Sequence, residues 1–507
     1  MLNHYQLLVL SLLFTLLAGC DAGSNKEDQP TPVIFEPKPE RLFLQQVASD
    51  STIVKWRGVA EAACYSEKFE DLHKRRQCVK AAGTDGNHKE ARFTDLAPDT
   101  NYYYSVGSTI AETQRFHTAP AANKVPKDGN THIWIVGDSG TATMINPLTG
   151  EHQHAGEAAA VKDGFLSYNA THGNEPIDLF LLLGDNAYNE GTDAQWQAAV
   201  FELYPSILTH SPLWPTIGNH EMGAATIHMP PYGEIFIGGV SKSSDPNSYI
   251  AEKEATPTRV PYLDIFTLPS KGEVGGVASG TEQYYSFDYG NVHVVSLDSQ
   301  LSARDEQQRM TMRKWLVEDL SNNSLDWTIV IFHHPPYTKG SHDSDAKPAK
   351  KGGIDTPIVD MREEFTPVFE DYGVDLVYSG HSHSYERSYY LTGHTGDADT
   401  FDPAAHAELN AAGEPASGRD AETYAQISTG SRADDKVVYT VAGSGGHVSL
   451  RGGKLDHPAH SVQANDPEGR HGLAVLGSVV VDASANELTA RFVDDKGTIL
   501  DYVTITR

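Results

Sequence analysis

A chain of 507 residues with 39 Lys and Arg against 68 Asp and Glu carries a formal charge of −29. That length exceeds one ordinary core and predicts roughly two to four units, or one large α/β domain with an appendage. The charge excludes a nucleic-acid surface or an anionic bilayer as an electrostatic partner. It also means that a phosphate-like substrate is repelled unless a local positive centre inverts the field.

Residues 1–19 contain no Asp, Glu, Lys or Arg and include LLVLSLLFTLLAG, short for a membrane span and suited to the core of a cleaved signal peptide. Leu17-Ala18-Gly19-Cys20 resembles a bacterial lipobox. This implies cleavage before Cys20, a lipid on its thiol, and an exported lipoprotein in the periplasm or at the cell surface of a bacterium. The basic stretch that precedes such signals is missing, and a plain secretory signal with a free Cys20 is the alternative. Residues 20–32 are polar and Pro-containing, a flexible tether, so that the folded part is expected to begin near Val33.

From 33 to 120 short β-type runs, RLFLQQV, STIVKWRGV, ARFTDL, NYYYSVGS and TQRFHT, alternate with turn residues and predict a small antiparallel sandwich as a first domain. Within it TDLAPDTNYYYSVG resembles the tyrosine-corner region of fibronectin type III domains, with Leu96, Pro98, Thr100 and Tyr102 in the corresponding places. Once Cys20 is set aside, Cys64 and Cys78 remain. In an exported chain such a pair most simply forms one disulfide, two free buried thiols being the alternative. Neither belongs to a CxxC pattern, so neither is a candidate for metal or redox work.

After the polar linker APAANKVPKDGN, residues 130–507 alternate strands with helical stretches, the pattern of a layered α/β fold. HIWIVG, IDLFLLLG, WTIVIFH and VDLVYSG are expected as buried strands. Met312, Trp315, Leu316 and Leu320 keep helical spacing behind Asp305-Glu306. Ile358, Met361, Phe365, Val368, Phe369 and Tyr372 do so ahead of Gly373, with a kink expected at Pro367. YYSFDYGNVHVVSLD, VVYTVAGSGGHVSL, GLAVLGSVVVDAS and LTARFVDD alternate apolar and polar residues and predict a second sheet layer. Residues 223–262 and 391–435 are expected as loop insertions near the rim.

Five short motifs close apolar runs: Asp138 in GDSG, Asp185 and Tyr188 in GDNAY, Asn219 in GNHE, His333 in VIFHHPP, and His381 and His383 in GHSH. Each alone is compatible with a polar turn. Together they supply what a two-metal site needs, oxygen and imidazole donors arriving from remote parts of the chain with a carboxylate able to bridge. Strands of an α/β sheet deliver them past one sheet edge. His334 replaces His333 as ligand if the register shifts by one residue. Glu221 is expected to orient a neighbour, and Asn186 could orient or ligate.

In this order behind an N-terminal sandwich, the motifs resemble those of the purple acid phosphatases within the calcineurin-like metallophosphoesterases, over most of residues 33–507. The likeness is specific at one point. The broader superfamily opens with Asp-x-His, whereas Asp138-Ser139-Gly140 has no His, and Tyr188 stands three residues after Asp185. The resemblance implies an α/β fold, a layered metallophosphoesterase sandwich of two sheets flanked by helices, preceded by an all-β fibronectin III-like sandwich. It implies that Asp138, Tyr188 and His383 bind Fe(III), that Asn219, His333 and His381 bind a divalent metal (Zn, Fe or Mn), and that Asp185 bridges them. A trivalent and a divalent cation outweigh two carboxylates and a phenolate, which leaves a positive centre inside an anionic protein.

The implied reaction is hydrolysis of phosphate monoesters, of the acid phosphatase type, by metal-activated hydroxide in an in-line displacement. His220 and His342 are the candidates for hydrogen bonding the phosphate and protonating the leaving group. A phosphodiesterase or nucleotide hydrolase on the same site is one alternative, and a non-catalytic surface protein with a structural metal centre is another. The expected partner is a small phosphoester, with no nucleic acid and with membrane attachment only through Cys20.

Overall fold

The computed structural model describes residues 38–507 apart from 75–76, 85–86, 174–175, 242, 252–253, 303, 346–354, 427–435 and 464–468. The expected signal peptide, Cys20, the tether and the expected start near Val33 lie outside the described residues.

Runs rich in β-branched and aromatic residues pair into two four-stranded antiparallel sheets. One holds Glu40–Gln45, Thr52–Arg57, His88–Phe93 and Ala82–Gly83; the other holds Cys78–Lys80, Ala62–Ser66, Asn101–Val106 and Thr109–His117. Phe93 of the first sheet stacks on Phe116 of the second at 6.2 Å between ring centroids. The Tyr102 hydroxyl accepts the Ala97 amide at 2.9 Å, the hydrogen bond of a tyrosine corner. Three strands escape the sequence pattern, because AACYS, CVK and the two-residue Ala82–Gly83 are short and carry little alternation. Cys64 and Cys78 face each other across that pair and are joined by a disulfide.

The sandwich and the α/β layers share one continuous core. Arg41, its side chain 1% exposed, holds Asp193 with bonds of 2.8 and 2.9 Å, and Arg57 reaches the same carboxylate. Lys55 donates to Thr267 at 2.6 Å and Tyr104 to the Thr209 carbonyl at 2.9 Å, while Phe43 packs on Phe201 and Phe266.

Residues from 131 onward build two sheets that pack face to face. The first has seven strands in the order Leu213–Pro215, Leu179–Leu182, Thr131–Val136, Gly477–Ala483, Glu487–Asp494, Ile499–Thr506, Tyr424–Ala425. The second has six: Tyr285–Tyr289, Val292–Ser296, Trp327–Ile331, Leu376–Ser379, Val437–Ala442, Tyr385–Leu391. Trp214 stacks on Phe287 across the sheets at 3.7 Å, and Tyr385 on Phe492 at 4.0 Å. Helix Glu157–Thr171 lies on the first sheet, Phe165 stacking on Trp134. Helix Glu306–Asn322 buries Met312, Leu316 and Leu320 against Val295, Val330 and Phe332 of the second.

Three expectations need correction. The segments expected to form one second layer divide between the sheets: 285–296 and 437–442 join the six-stranded one, and 477–494 lie beside Thr131–Val136. Alternation marks a half-buried strand but not which sheet receives it. Residues 223–262 are not loops, for they hold the hairpins Ala224–Met229 with Gly233–Gly238 and Tyr249–Ala251 with Glu254–Thr258. The helix around Pro367 is interrupted rather than merely kinked: a π-helical turn, Met361–Phe365, separates Thr356–Asp360 from Thr366–Asp371. Proline gives no N–H to the preceding turn, and the wider turn absorbs the loss. Among the described residues no helix is long and apolar enough to cross a membrane.

The feature that matters for chemistry is direction. Strands 131–136, 179–182 and 213–215 run parallel, as do 292–296, 327–331, 376–379 and 437–442. Parallel neighbours end on the same side, so the turns that come after them gather at one edge of each sheet.

Candidate metal centre

Asp138, Asp185 and His381 each leave their strand through a left-handed backbone, with φ of 55°, 52° and 67°. Non-glycine residues held there store on the order of 1–3 kcal/mol each, which the surrounding packing must enforce. It does so through close glycines: a Cβ on Gly218 would lie 2.2 Å from the Asp185 nitrogen, and one on Gly380 2.3 Å from Asp138 Oδ2.

The structure brings Asp138, Asp185, Tyr188, Asn219, His333, His381 and His383 together, none more than 4% exposed. They form two groups about Asp185. In one, Tyr188 Oη lies 3.0 Å from Asp138 Oδ1 and 3.3 Å from His383 Nε2, which is itself 3.3 Å from Asp138 Oδ1. In the other, His333 Nε2 lies 3.0 Å from Asn219 Oδ1 and 3.3 Å from His381 Nδ1. Asp185 Oδ2 touches both, 3.2 Å from Tyr188 Oη and 3.2 Å from His333 Nε2.

The donor set fits a pair of cations. His333 donates its Nδ1–H to the Leu183 carbonyl at 2.8 Å, and His381 donates its Nε2–H to Asp355 at 2.9 Å. Each imidazole therefore turns its other ring nitrogen inward, the one a cation would take. Without a cation, burial opposes charge on His333, yet Asp185 and Asp138 favour a proton there and raise it to about 9. Without positive charge the cluster is frustrated. Burial, reinforced by Asp185 and opposed by His333, raises the Asp138 carboxyl to about 7. Burial, then Asp138 and Asp185, pushes the Tyr188 phenol well above its usual value. Burial works against charge on Asp185 too, yet His333 and His220 hold that carboxyl below the usual carboxylate range. A phenolate beside carboxylates suits a hard trivalent ion, and imidazoles with an amide oxygen suit a divalent one.

The surrounding residues set this geometry. Glu221, fully buried, accepts the amides of Asp185, Asn186, Ala187 and Gly218 at 2.7–3.2 Å and so orders two motif turns at once. Asn186 donates to the Thr216 carbonyl at 3.0 Å and braces the turn. His334 is held by Ser299 at 2.9 Å, while its neighbour His333 makes the contacts to Asp185 and Asn219. His220 gives its amide to Asp185 Oδ1 at 2.8 Å and its Nδ1–H to the Asn189 carbonyl at 2.5 Å, which leaves Nε2 facing Asp185 Oδ2 at 3.9 Å. His342 stacks on His381 at 3.8 Å, and its Nδ1 meets Asp355 Oδ1 at 2.9 Å.

Two residues of the site are not among those the motifs single out. Asp355 takes hydrogen bonds from both His342 and His381, which hold its carboxyl below the usual range although burial opposes the charge. Nothing in its sequence neighbourhood marks it. His447, its ring 3.7 Å from His383, did carry a signal, for it ends GSGGH directly behind the strand Val437–Ala442, the same arrangement as the other motifs.

The family model described as Calcineurin-like phosphoesterase matches residues 131–385. Purple acid phosphatase 15 of Arabidopsis thaliana is 27% identical over 323 residues, covering 60% of this chain and 50% of that protein. Probable inactive purple acid phosphatase 9 of the same plant is 24% identical over 311 residues, covering 60% and 44%. The chain thus spans about half the length of these curated relatives. Among solved structures, purple acid phosphatase PPD1 from yellow lupin (Lupinus luteus) seeds shares the fold with a TM-score of 0.62 at 17% identity, over 92% of this chain and 74% of that one.

Proposed function

The chain belongs to the calcineurin-like phosphoesterase family, and on that premise we propose that it is a metal-dependent hydrolase of phosphate monoesters, of the purple acid phosphatase type. One relative is itself named Probable inactive purple acid phosphatase 9, so membership alone does not grant turnover. The observation that carries the reading is the Asp185 carboxylate, with one oxygen 3.2 Å from the Tyr188 phenol and 3.2 Å from the His333 imidazole, each at the centre of its own donor group.

In this reading Asp138, Tyr188 and His383 hold Fe(III), Asn219, His333 and His381 hold Zn, Mn or Fe as a divalent ion, and Asp185 bridges. The pair, when bound, acidifies water and offsets phosphoryl charge. The chain's own residues do the rest. His220, its ring fixed through Nδ1 to Asn189, presents Nε2 for a phosphoryl oxygen. His342, oriented by Asp355, protonates the leaving oxygen. Placement outside the cytoplasm, anchored at Cys20, is part of the same proposal, and the Cys64–Cys78 disulfide supports an oxidising compartment.

The test joins metal analysis to an aryl phosphate monoester and its matching diester. One iron and one divalent ion per chain, faster monoester cleavage and a visible band lost in Tyr188→Phe are expected. A fully metal-loaded protein that leaves both esters intact would refute the proposal.

A further inference from the structure

Beyond Ser341 and His342 the wall of the site opens into a cavity of about 700 Å³, built from residues within 339–345, 398–399 and 450–458. We propose that this cavity receives the leaving group, and that the leaving group is polyhydroxylated, so that the preferred substrate is a singly phosphorylated sugar or polyol. The inference rests on the hydrolase reading above and narrows its substrate.

Position comes first. A proton donor must reach the leaving oxygen, and His342, the residue assigned that task, is both stacked on His381 and part of the cavity wall. The released group therefore lies on this side of the phosphate. The cavity is fastened to the site, since Ser341 Oγ accepts the His383 amide at 2.9 Å. Its walls are fastened to each other. Leu455 donates its amide to the Lys339 carbonyl at 3.0 Å, and fully buried Glu386 accepts the Lys339 amide at 2.9 Å. A Cβ on Gly453 would fall 1.8 Å from the Gly340 carbonyl, so the two strips of backbone are in direct contact. A preformed pocket spends little ordering entropy on its ligand, and this volume falls within the roughly 300–1,000 Å³ of small-molecule sites.

Chemistry decides the class of occupant. Lys339 is engaged by Asp343 and, at 2.9 Å, by Asp345. Arg451 and Lys454, both exposed, form no ion pair among the described residues. Asp399 and Asp456 add acceptors to the same walls. Cationic donors beside carboxylate acceptors match hydroxyl groups, each of which donates and accepts. A second phosphoryl group on the substrate would instead meet these carboxylates at close range. Among the described residues no lining side chain other than the His342 imidazole is aromatic, so these walls offer a nucleobase no further stacking face.

The experiment measures binding and turnover separately on the metal-loaded protein. Calorimetry with a non-hydrolysable hexose phosphonate, a nucleoside 5′-phosphonate and inorganic phosphate is run on wild type and on the double variant Arg451→Ala, Lys454→Ala. The hexose phosphonate is expected to bind about tenfold tighter than the nucleoside phosphonate, and the variant to weaken it about tenfold more than it weakens phosphate. Phosphate binding shows that the variant's site is intact. A nucleoside phosphonate that binds as tightly as the hexose one, or a variant that weakens hexose phosphonate and phosphate equally, overturns the proposal. Aryl phosphate turnover reports on the hydrolase reading by itself: discriminating binding without any turnover sinks that reading and leaves the cavity's preference standing.

Discussion

Two buried clusters of histidine and carboxylate sit in the same fold at similar distances, and they differ in how their polar atoms are shared out. His293, with a side chain 2% exposed, donates one ring nitrogen to Asp288 at 2.7 Å and the other to Asp319 at 2.9 Å. Asp319 also receives the Val277 amide and the Ser286 hydroxyl, so every proton has an acceptor and the hairpin 285–296 is locked to helix Glu306–Asn322. Around Asp185 the arrangement is open. Leu183 and Asp355 each take one imidazole proton on the outer side, and the other ring nitrogens, His333 Nε2 and His381 Nδ1, meet each other at the centre, where His333 Nε2 also meets the oxygens of Asp185 and Asn219. Residue types alone do not distinguish a structural lock from a candidate cation site; the crowding of potential ligand atoms from several motifs about one carboxylate does.

The largest test of that contrast replaces one carboxylate in each cluster. Asp185→Asn keeps the size but removes the charge that touches both donor groups, and it is expected to lose bound metal and all measurable aryl phosphate turnover. Asp288→Asn is expected to keep both. If Asp185→Asn retained both metals and turned over substrate, the open cluster would not be the catalytic one. Next comes His220→Ala, for which kcat should drop by about 10²–10⁴ with metal content preserved, as for loss of a proton-transfer or phosphate-binding imidazole. Asp355→Asn should cost about 10–100-fold, the usual scale for a residue that orients a ligand. Because Asp355 holds His342 and His381 without touching phosphate, the loss should fall on kcat with little change in KM; an equal loss in KM would assign it to substrate binding instead.

The open cluster was legible in the sequence because each of its motifs closes an apolar run, and parallel strands convert that local fact into convergence. Asp355 was not legible, since its bond to His381 spans 26 positions and no pattern near Asp355 announces it. The union of the sandwich with the catalytic layers is of the same kind: Arg41 meets Asp193 across 152 positions, and only the folded chain shows the shared core. His447 lies between these cases, with a strand and then glycines ahead of it and too little else to separate it from an ordinary turn. The apolar patterning missed the long strands Tyr385–Leu391 and Ile499–Thr506, and it could not assign the strands it did find to sheets, because burial on one face is the same physical fact in either sheet.

The closed cluster yields the smallest effect on activity and a signed effect on stability. Burial opposes charge on His293, but its hydrogen bonds to Asp288 and Asp319 raise it from 6.5 to about 9. The folded chain therefore binds this proton more tightly than the unfolded chain does. Its contribution to stability is full below a pH of about 6.5, declines as pH rises, and is gone above about 9. The interval between those two values corresponds to about 3 kcal/mol. His293→Gln keeps the size and a hydrogen-bonding amide but no charge, so urea unfolding near pH 6 should place it about 3 kcal/mol below wild type, with turnover unchanged. At a pH of about 9.5 the gap should shrink to whatever the altered packing costs. A gap that stayed constant across that range would mean that His293 is neutral in the fold, and the two clusters would then differ in depth alone rather than in the sense of their charge.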